Sequence, residues 1–254
     1  LKMNDPNNLF LIDGSGYIFR AYYALPSMNN SNGVPINAVF GYTKMLLKLI
    51  EDFRPIYLAV IFDVARKTFR NDLYDLYKAN RSDPPDELIP QFSIIRDATN
   101  AIGLPVVEME GYEADDLIAT YSDIASKMNK NVIIVSSDKD LMQLVDQNTT
   151  LFDPMKQFWI NDDKVFEKFG VYPNKVIDVQ SLAGDTSDNI PGVPGIGIKT
   201  AAELINEYED LDQLLNRASE IKQNKRRENL LEFADQAILS RSLVTLKKDV
   251  PIKS

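Results

Sequence analysis

Short apolar, β-branched runs stand at Leu9 to Ile12, Tyr57 to Phe62 and Val132 to Val135, with a further one at Leu104 to Val107, and segments of helical length lie between them. Strands that alternate with helices are joined by crossovers, so they pair in parallel, and a parallel sheet needs cover on both faces. The expected fold class is therefore α/β, with a mostly parallel central sheet flanked by helices. Two of the covering helices can be read directly. Ala38 to Ile50 keeps a helical period, and Ala114, Leu117, Ile118, Tyr121, Ile124, Ala125 and Met128 form one buried stripe after Gly111. Residues 149–160, TTLFDPMKQFWI, read as a hairpin turning at Asp153 and Pro154. Beyond about residue 173 the strand signals stop, which divides the chain into an α/β core at 1–172 and a helical region at 173–254. The polar stretch from Arg66 to Gly103 carries Asp83-Pro84-Pro85 and is too long for an ordinary connection, which points to a working segment.

Three of these runs end in acid: LFLID at Asp13, AVIFD at Asp63, and IIVSSDKD at Asp138 and Asp140. In an open parallel sheet the carboxyl ends of the strands line the crevice where ligands bind. One such aspartate is an ordinary helix cap; three from separate strands need a reason to converge. GYEADD adds Glu113, Asp115 and Asp116. Spacing from Leu117 and Ile118 places Glu113 and Asp115 at the top of the buried stripe and Asp116 off it. GDTSDN contributes Asp185 and Asp188, making nine carboxylates. Packed together without compensation they would be driven to protonate, and divalent cations remove the conflict.

The 254 residues include no cysteine and no histidine, so thiol nucleophiles, disulfides, zinc fingers and Ser/His/Asp triads are excluded. Oxygen-only ligation selects a hard ion, Mg²⁺ or else Mn²⁺, and the spacing matches no EF-hand loop for calcium. The net charge of −9 is no objection to a nucleic-acid partner. Setting nine acids aside from 37 leaves 28 against 28 bases. Bases cluster at Arg66, Lys67, Arg70, Lys78 and Arg81, and again between Arg217 and Lys248. No apolar run approaches the ~18 residues of a membrane span, and the first residues lack the apolar core of a signal peptide, so a cytoplasmic location is expected. A start on leucine and a polar end suggest a fragment of something longer.

GVPGIGIKTA, 192–201, lacks the Gly-Lys-Thr/Ser junction of a phosphate loop, because Ile198 separates Gly197 from Lys199, and no strand precedes it. What remains is an element of the helix-hairpin-helix type, whose glycines let the backbone approach a phosphate while the amides of the next helix bind it. An ordinary interhelical turn is the competing reading, and Lys199 favours the first.

LIDGSGYIFRAYYALP, AVIFD, YKANR, GYEADDLIAT, VSSDKDLMQL and LAGDTSDNIPGVPGIGIKTA, in this order, resemble the 5′ nuclease domain of bacterial DNA polymerase I, in the flap endonuclease family, over nearly the whole chain. The resemblance implies a PIN-like 5′ nuclease fold and a DNA-binding role for the C-terminal helical region. It further implies a Mg²⁺-dependent 5′-3′ exonuclease and flap endonuclease that acts through two ions in primer removal and repair. Asp13, Asp63, Glu113 and Asp115 correspond to ligands of one ion, and Asp116, Asp138, Asp140, Asp185 and Asp188 to ligands or water-mediated supports of the other. Lys78 and Arg81 correspond to bases acting on the scissile phosphate from an arch at about 66–103. Phe19 corresponds to an aromatic that stacks on a terminal base. With Arg20, Arg66, Arg70, Gly192, Gly195, Gly197, Lys199 and Thr200 it forms the expected DNA-binding set. The expected partners are DNA with a 5′ flap, nick or 5′ end and a covalently linked polymerase module, with no membrane and a monomeric protein. Two rivals are a compact PIN-type ribonuclease, against which the glycine-rich element and long polar segment argue, and a non-catalytic DNA-binding module, which would not need nine acids.

Overall fold

Six strands form one sheet in the order β3-β2-β1-β4-β5-β6 in a computed structural model that describes residues 4–252. They are β1 (Asn8–Asp13), β2 (Tyr57–Ile61), β3 (Val106–Val107), β4 (Asn131–Val135), β5 (Thr149–Asp153) and β6 (Phe158–Ile160). The first five are parallel, and β6 turns back antiparallel on β5 to close the expected hairpin. The chain starts in the middle of the sheet, moves outward through β2 and β3, then returns to the other side of β1 with β4. Strand order therefore reverses beside β1, the place where open α/β sheets form a crevice.

Alternation along each strand sets the two faces. Phe10, Ile12, Val60, Ile133 and Val135 pack under α1 (Gly14–Ala24), α2 (Asn37–Phe53) and α4 (Ile89–Ile102), through Tyr17, Ile18, Tyr42, Leu46 and Ile95. Leu11, Ile61, Val132, Ile134 and Leu151 face α5 (Ala114–Lys127) on the other side. That second core continues without a break into α6 (Asp162–Phe169), α7 (Val176–Ala183), α8 (Ile198–Tyr208), α9 (Leu211–Asn216) and α10 (Asn224–Glu232). The last helix is α11 (Ala234–Val244), and no strand occurs among the described residues beyond Ile160. No helix of the described residues is long and apolar enough to cross a membrane.

Two expectations change. The run Leu104 to Val107 yields only a two-residue strand, because Pro105 has no amide hydrogen and joins the ladder only as an acceptor from Val60 N–H at 3.0 Å. The polar segment 66–103 is not one arch. Pro90 starts α4, whose Ile95 is buried against α2, so its second half is sheet cover. What stands at the carboxyl edge is 64–88, containing the short helix α3 (Phe69–Leu73) and anchored by Tyr77, which packs on Ile190, Leu243 and Val244.

Candidate metal centre

Each parallel strand near the reversal delivers an acid to the same edge, where local hydrogen bonds hold it. Asp13 ends β1 and caps α1: one carboxylate oxygen accepts Gly16 N–H at 3.0 Å and the other the Ser136 hydroxyl at 2.8 Å. A Cβ on Gly16 would lie 2.7 Å from that carboxylate, so this close cap requires glycine. Asp63, two residues past β2, accepts Ala114 N–H at 2.7 Å, which ties the strand end to the start of α5. Past β4, Asp138 accepts Asp140 N–H at 2.9 Å and begins a 3-10 helix, Lys139–Leu144.

The acids then fall into two triads. Carboxylate oxygens of Asp13, Asp115 and Asp138 lie within 4.8 Å of one another, and so do those of Asp140, Asp185 and Asp188. All of them but Asp185 line a cleft of about 190 Å³ with Phe19, Asp63, Tyr77, Lys78, Arg81 and Glu113. A larger depression of about 610 Å³ lies at the opposite edge of the sheet, near Asn131, Thr149 and Trp159, and contains none of these acids. Burial raises the pKa of Asp13 and, with repulsion from Asp13, that of Asp138. Asp115 is raised furthest of the first triad, by burial and then by Asp138 and Asp13. Burial and Asp138 push Asp140 up to about 7. Carboxylates resisting ionisation because they are buried and then because they crowd one another are what a dication would relieve, and an all-oxygen donor set fits a hard ion.

Basic side chains already meet some of these acids. Lys78 Nζ and the Tyr77 hydroxyl both donate to Glu113; Arg81 pairs with Asp188, and Lys139 with Asp185. Burial would raise Glu113, but Lys78 and Arg70 outweigh it and hold Glu113 low. The grouping thus differs from the expected ligand sets. Asp138 joins Asp13 and Asp115, whereas Asp63 and Glu113 stand outside the triad, one held by a peptide N–H and the other by cations.

Three of the expected site residues are taken up by internal contacts. Asp116 lies on the buried side of α5 at 0% exposure, bound through both oxygens by Arg70 at 2.7 and 2.8 Å. Both of its oxygens are thus committed to an internal ion pair. Asp116 lies off the apolar stripe yet is buried, because residues 245–250 cover the flank of α5 that the stripe leaves open: Lys247 N–H donates to Asp116 at 2.9 Å and Thr120 donates to Lys247 C=O at 3.1 Å. Arg70, also 0% exposed, spends all five N–H groups on Asp116, Glu113 and the carbonyls of Leu243 and Thr245, so none remains for DNA. Gly192 is buried, its amide donating to Ser240 Oγ at 2.9 Å; it is glycine because a Cβ there would come within 2.5 Å of Gly184 N at a φ of +60°.

The rest of the expected DNA-binding set is accessible. Phe19 is 40% exposed at the cleft, and Arg20, Arg66, Gly195, Gly197 and Lys199 are exposed, with Thr200 half-buried. Arg66 pairs with Asp83 and donates to the Ser82 carbonyl at 3.1 Å. Gly197 begins α8 with no side-chain cap on that helix's first amides. Sequence reasoning missed Tyr77, Ser136, Lys139 and Gln180, which donate to Glu113, Asp13, Asp185 and Asp140. Lys139 had a visible signal, since it stands between the two acids of SDKD.

Two family models cover the chain, one described as the N-terminal resolvase-like domain of 5′-3′ exonucleases at residues 8–170 and the other as their C-terminal SAM fold at 171–254. The chain belongs to the 5′-3′ exonuclease family. Among relatives of this chain, DNA polymerase I of Rhizobium leguminosarum is 57% identical over 259 residues, which is 99% of this chain and 26% of that protein. The chain thus spans about a quarter of that relative's length. The 5′-3′ exonuclease of Aquifex aeolicus is 41% identical over 82% of this chain and 72% of its own. The solved structure of the bacteriophage T5 D15 flap endonuclease in a pseudo-enzyme-product complex with DNA and metal ions shares the fold, with a TM-score of 0.78 at 24% identity over 93% of this chain and 88% of that one.

Proposed function

We propose that this exonuclease-family chain is a structure-specific 5′ nuclease, hydrolysing DNA phosphodiesters at 5′ flaps and 5′ ends in primer removal and repair, with two Mg²⁺ ions that Mn²⁺ can replace. The observation that carries the reading is the pair of carboxylate triads at the strand-order reversal, of which all but Asp185 line one cleft with Lys78 and Arg81. Asp13, Asp115 and Asp138 would hold one ion and Asp140, Asp185 and Asp188 the other. When bound, such ions lower the pKa of an attacking water and stabilise the leaving oxygen. Asp63 and Glu113 orient the entry to α5, and Lys78 and Arg81 turn from Glu113 and Asp188 to the scissile phosphate. Phe19 offers a face for a terminal base, and the 64–88 segment closes over the single strand. Lys199, with the amides that begin α8, grips a duplex phosphate without reading sequence.

The α/β core to about residue 172 would do the chemistry, and the helical region from 173 would hold the duplex. A polymerase module joined to the same chain, in line with the name of the Rhizobium relative, is part of the proposal, as are monomeric action and a cytoplasmic location. The discriminating assay incubates a labelled 5′-flap duplex, a single-stranded RNA and a blunt duplex with Mg²⁺, then with EDTA. Cleavage at the flap junction, lost with EDTA and in Asp138→Ala while DNA binding persists, is the expected result. Preference for RNA would favour the PIN-type ribonuclease, and no cleavage at all would favour a binding module.

A further inference from the structure

The two triads differ in what opposes their charge. No basic side chain among the described residues forms an ion pair with Asp13, Asp115 or Asp138, although the charge of Lys139 acts on Asp138 from farther away; Asp13 and Asp138 accept from neutral donors, and the Asp115 carboxylate accepts no hydrogen bond among the described residues. Every acid of the second triad is already held. Gln180 donates to Asp140 at 2.7 Å, Arg81 pairs with Asp188, and Lys139 pairs with one oxygen of Asp185 while Ser187 donates N–H and O–H to the other at 2.9 and 2.6 Å. Lys139 Nζ also stands 3.9 Å from Asp140, so it meets two of the three acids.

The two cations are not equivalent. Arg81 belongs to the 64–88 segment, which the proposed reaction gives to the phosphate, so DNA can draw it off. Lys139 lies in the 3-10 helix whose Leu141, Met142 and Leu144 are buried, so its backbone stays with the core. Its neighbours Asp138 and Asp140 belong to different triads, while its own ammonium pairs with Asp185.

We propose that Lys139 is a positioning residue that sets the affinity of the Asp140/Asp185/Asp188 triad for its divalent ion, by holding Asp185 as an ion pair the metal must compete with. This rests on the two-ion reading above. A positive charge about 4 Å from a dication opposes its binding by roughly tenfold even when well screened, and at twice that distance by less than about threefold. The first triad therefore fills first, and the second fills at higher ion concentration.

Mn²⁺ titration of the full chain without DNA, with free Mn²⁺ read by electron paramagnetic resonance, tests this without any turnover. Wild type is expected to show a tight and a weak class of site. Lys139→Met should tighten the weak class by about tenfold and the tight class by less than about threefold. Lys139→Arg, which keeps the charge, should stay near wild type, and in an Asp185→Ala background Lys139→Met should have a smaller effect, because Lys139 then meets Asp140 alone. Two classes that Lys139→Met leaves unchanged, or a weak class that it loosens, overturn the role of Lys139 alone. A wild type with only one class, even with a 5′-flap duplex added, overturns the two-ion reading and this role together.

Discussion

Asp115 and Asp116 are adjacent, identical in chemistry and opposite in use. Asp115 faces other acids in the cleft, and Asp116 neutralises a buried arginine that ties α3, α5 and the 243–247 segment together. Removing one member of a buried pair strands the other's charge, at a cost of about 3–5 kcal/mol. Asp116→Ala should accordingly lower the melting temperature sharply in calorimetry, with or without metal, whereas removal of a cleft acid should not. Lys78 is the contrasting case. Its ammonium stays charged despite burial, because Glu113 and Asp188 outweigh the desolvation. Placed on the scissile phosphate it would act on developing charge, an effect of about 3–4 kcal/mol per donor in comparable sites. Single-turnover cleavage by Lys78→Ala should therefore fall by about two orders of magnitude or more while flap affinity changes little. A loss confined to affinity would contradict that role.

Elements matter here chiefly through their ends. Strand ends deliver Asp13, Asp63 and Asp138; the start of α5 delivers Glu113 and Asp115; and the start of α8 presents uncapped amides beside Lys199. The connection from α7 to α8 can be this tight because Gly184 and Gly192 stack backbone to backbone, which frees Gly195 and Gly197 to sit outside. If Lys199 meets a phosphate, Lys199→Ala should weaken flap binding about equally for every sequence and reduce the slope of log affinity against log salt by about one. An unchanged salt slope in fluorescence anisotropy would remove Lys199 from the interface. The glycine pattern was legible from sequence, but the division of labour among its glycines was not: a glycine needed for close backbone contact and one needed for exposure have the same letter.

At the scale of the whole molecule, the fold concentrates negative charge that it cannot itself neutralise. Asp140, raised from 3.8 to about 7, keeps its proton in the folded chain over a range where the unfolded chain has released it. Its contribution to metal-free stability is therefore lost as pH rises from about 4 to about 7. A bound ion requires the deprotonated form, so metal affinity should rise over the same range and level off above it. Thermal melts with saturating Mn²⁺ and with EDTA should differ more at pH 7.5 than at pH 5.5. Each filled site adds roughly 2.7 kcal/mol when the ion is at a hundred times its dissociation constant.

The sequence by itself determined the parallel sheet, its covering helices and the arrival of acids at the carboxyl edge, because strand period, helix period and strand termination are local properties. It also narrowed the class of ion expected, since without histidine or cysteine the donors at those strand ends are carboxylate oxygens. Tertiary structure decided which acids meet. Asp138 joins Asp13 across the β1–β4 pairing, and Asp185 reaches Asp140 from a loop after α7. Arg70 is buried by the carbonyl of Leu243, 173 positions away, and Asp116 by the amide of Lys247. A helical wheel fixes the angle between two side chains, but not which of them the rest of the chain will cover.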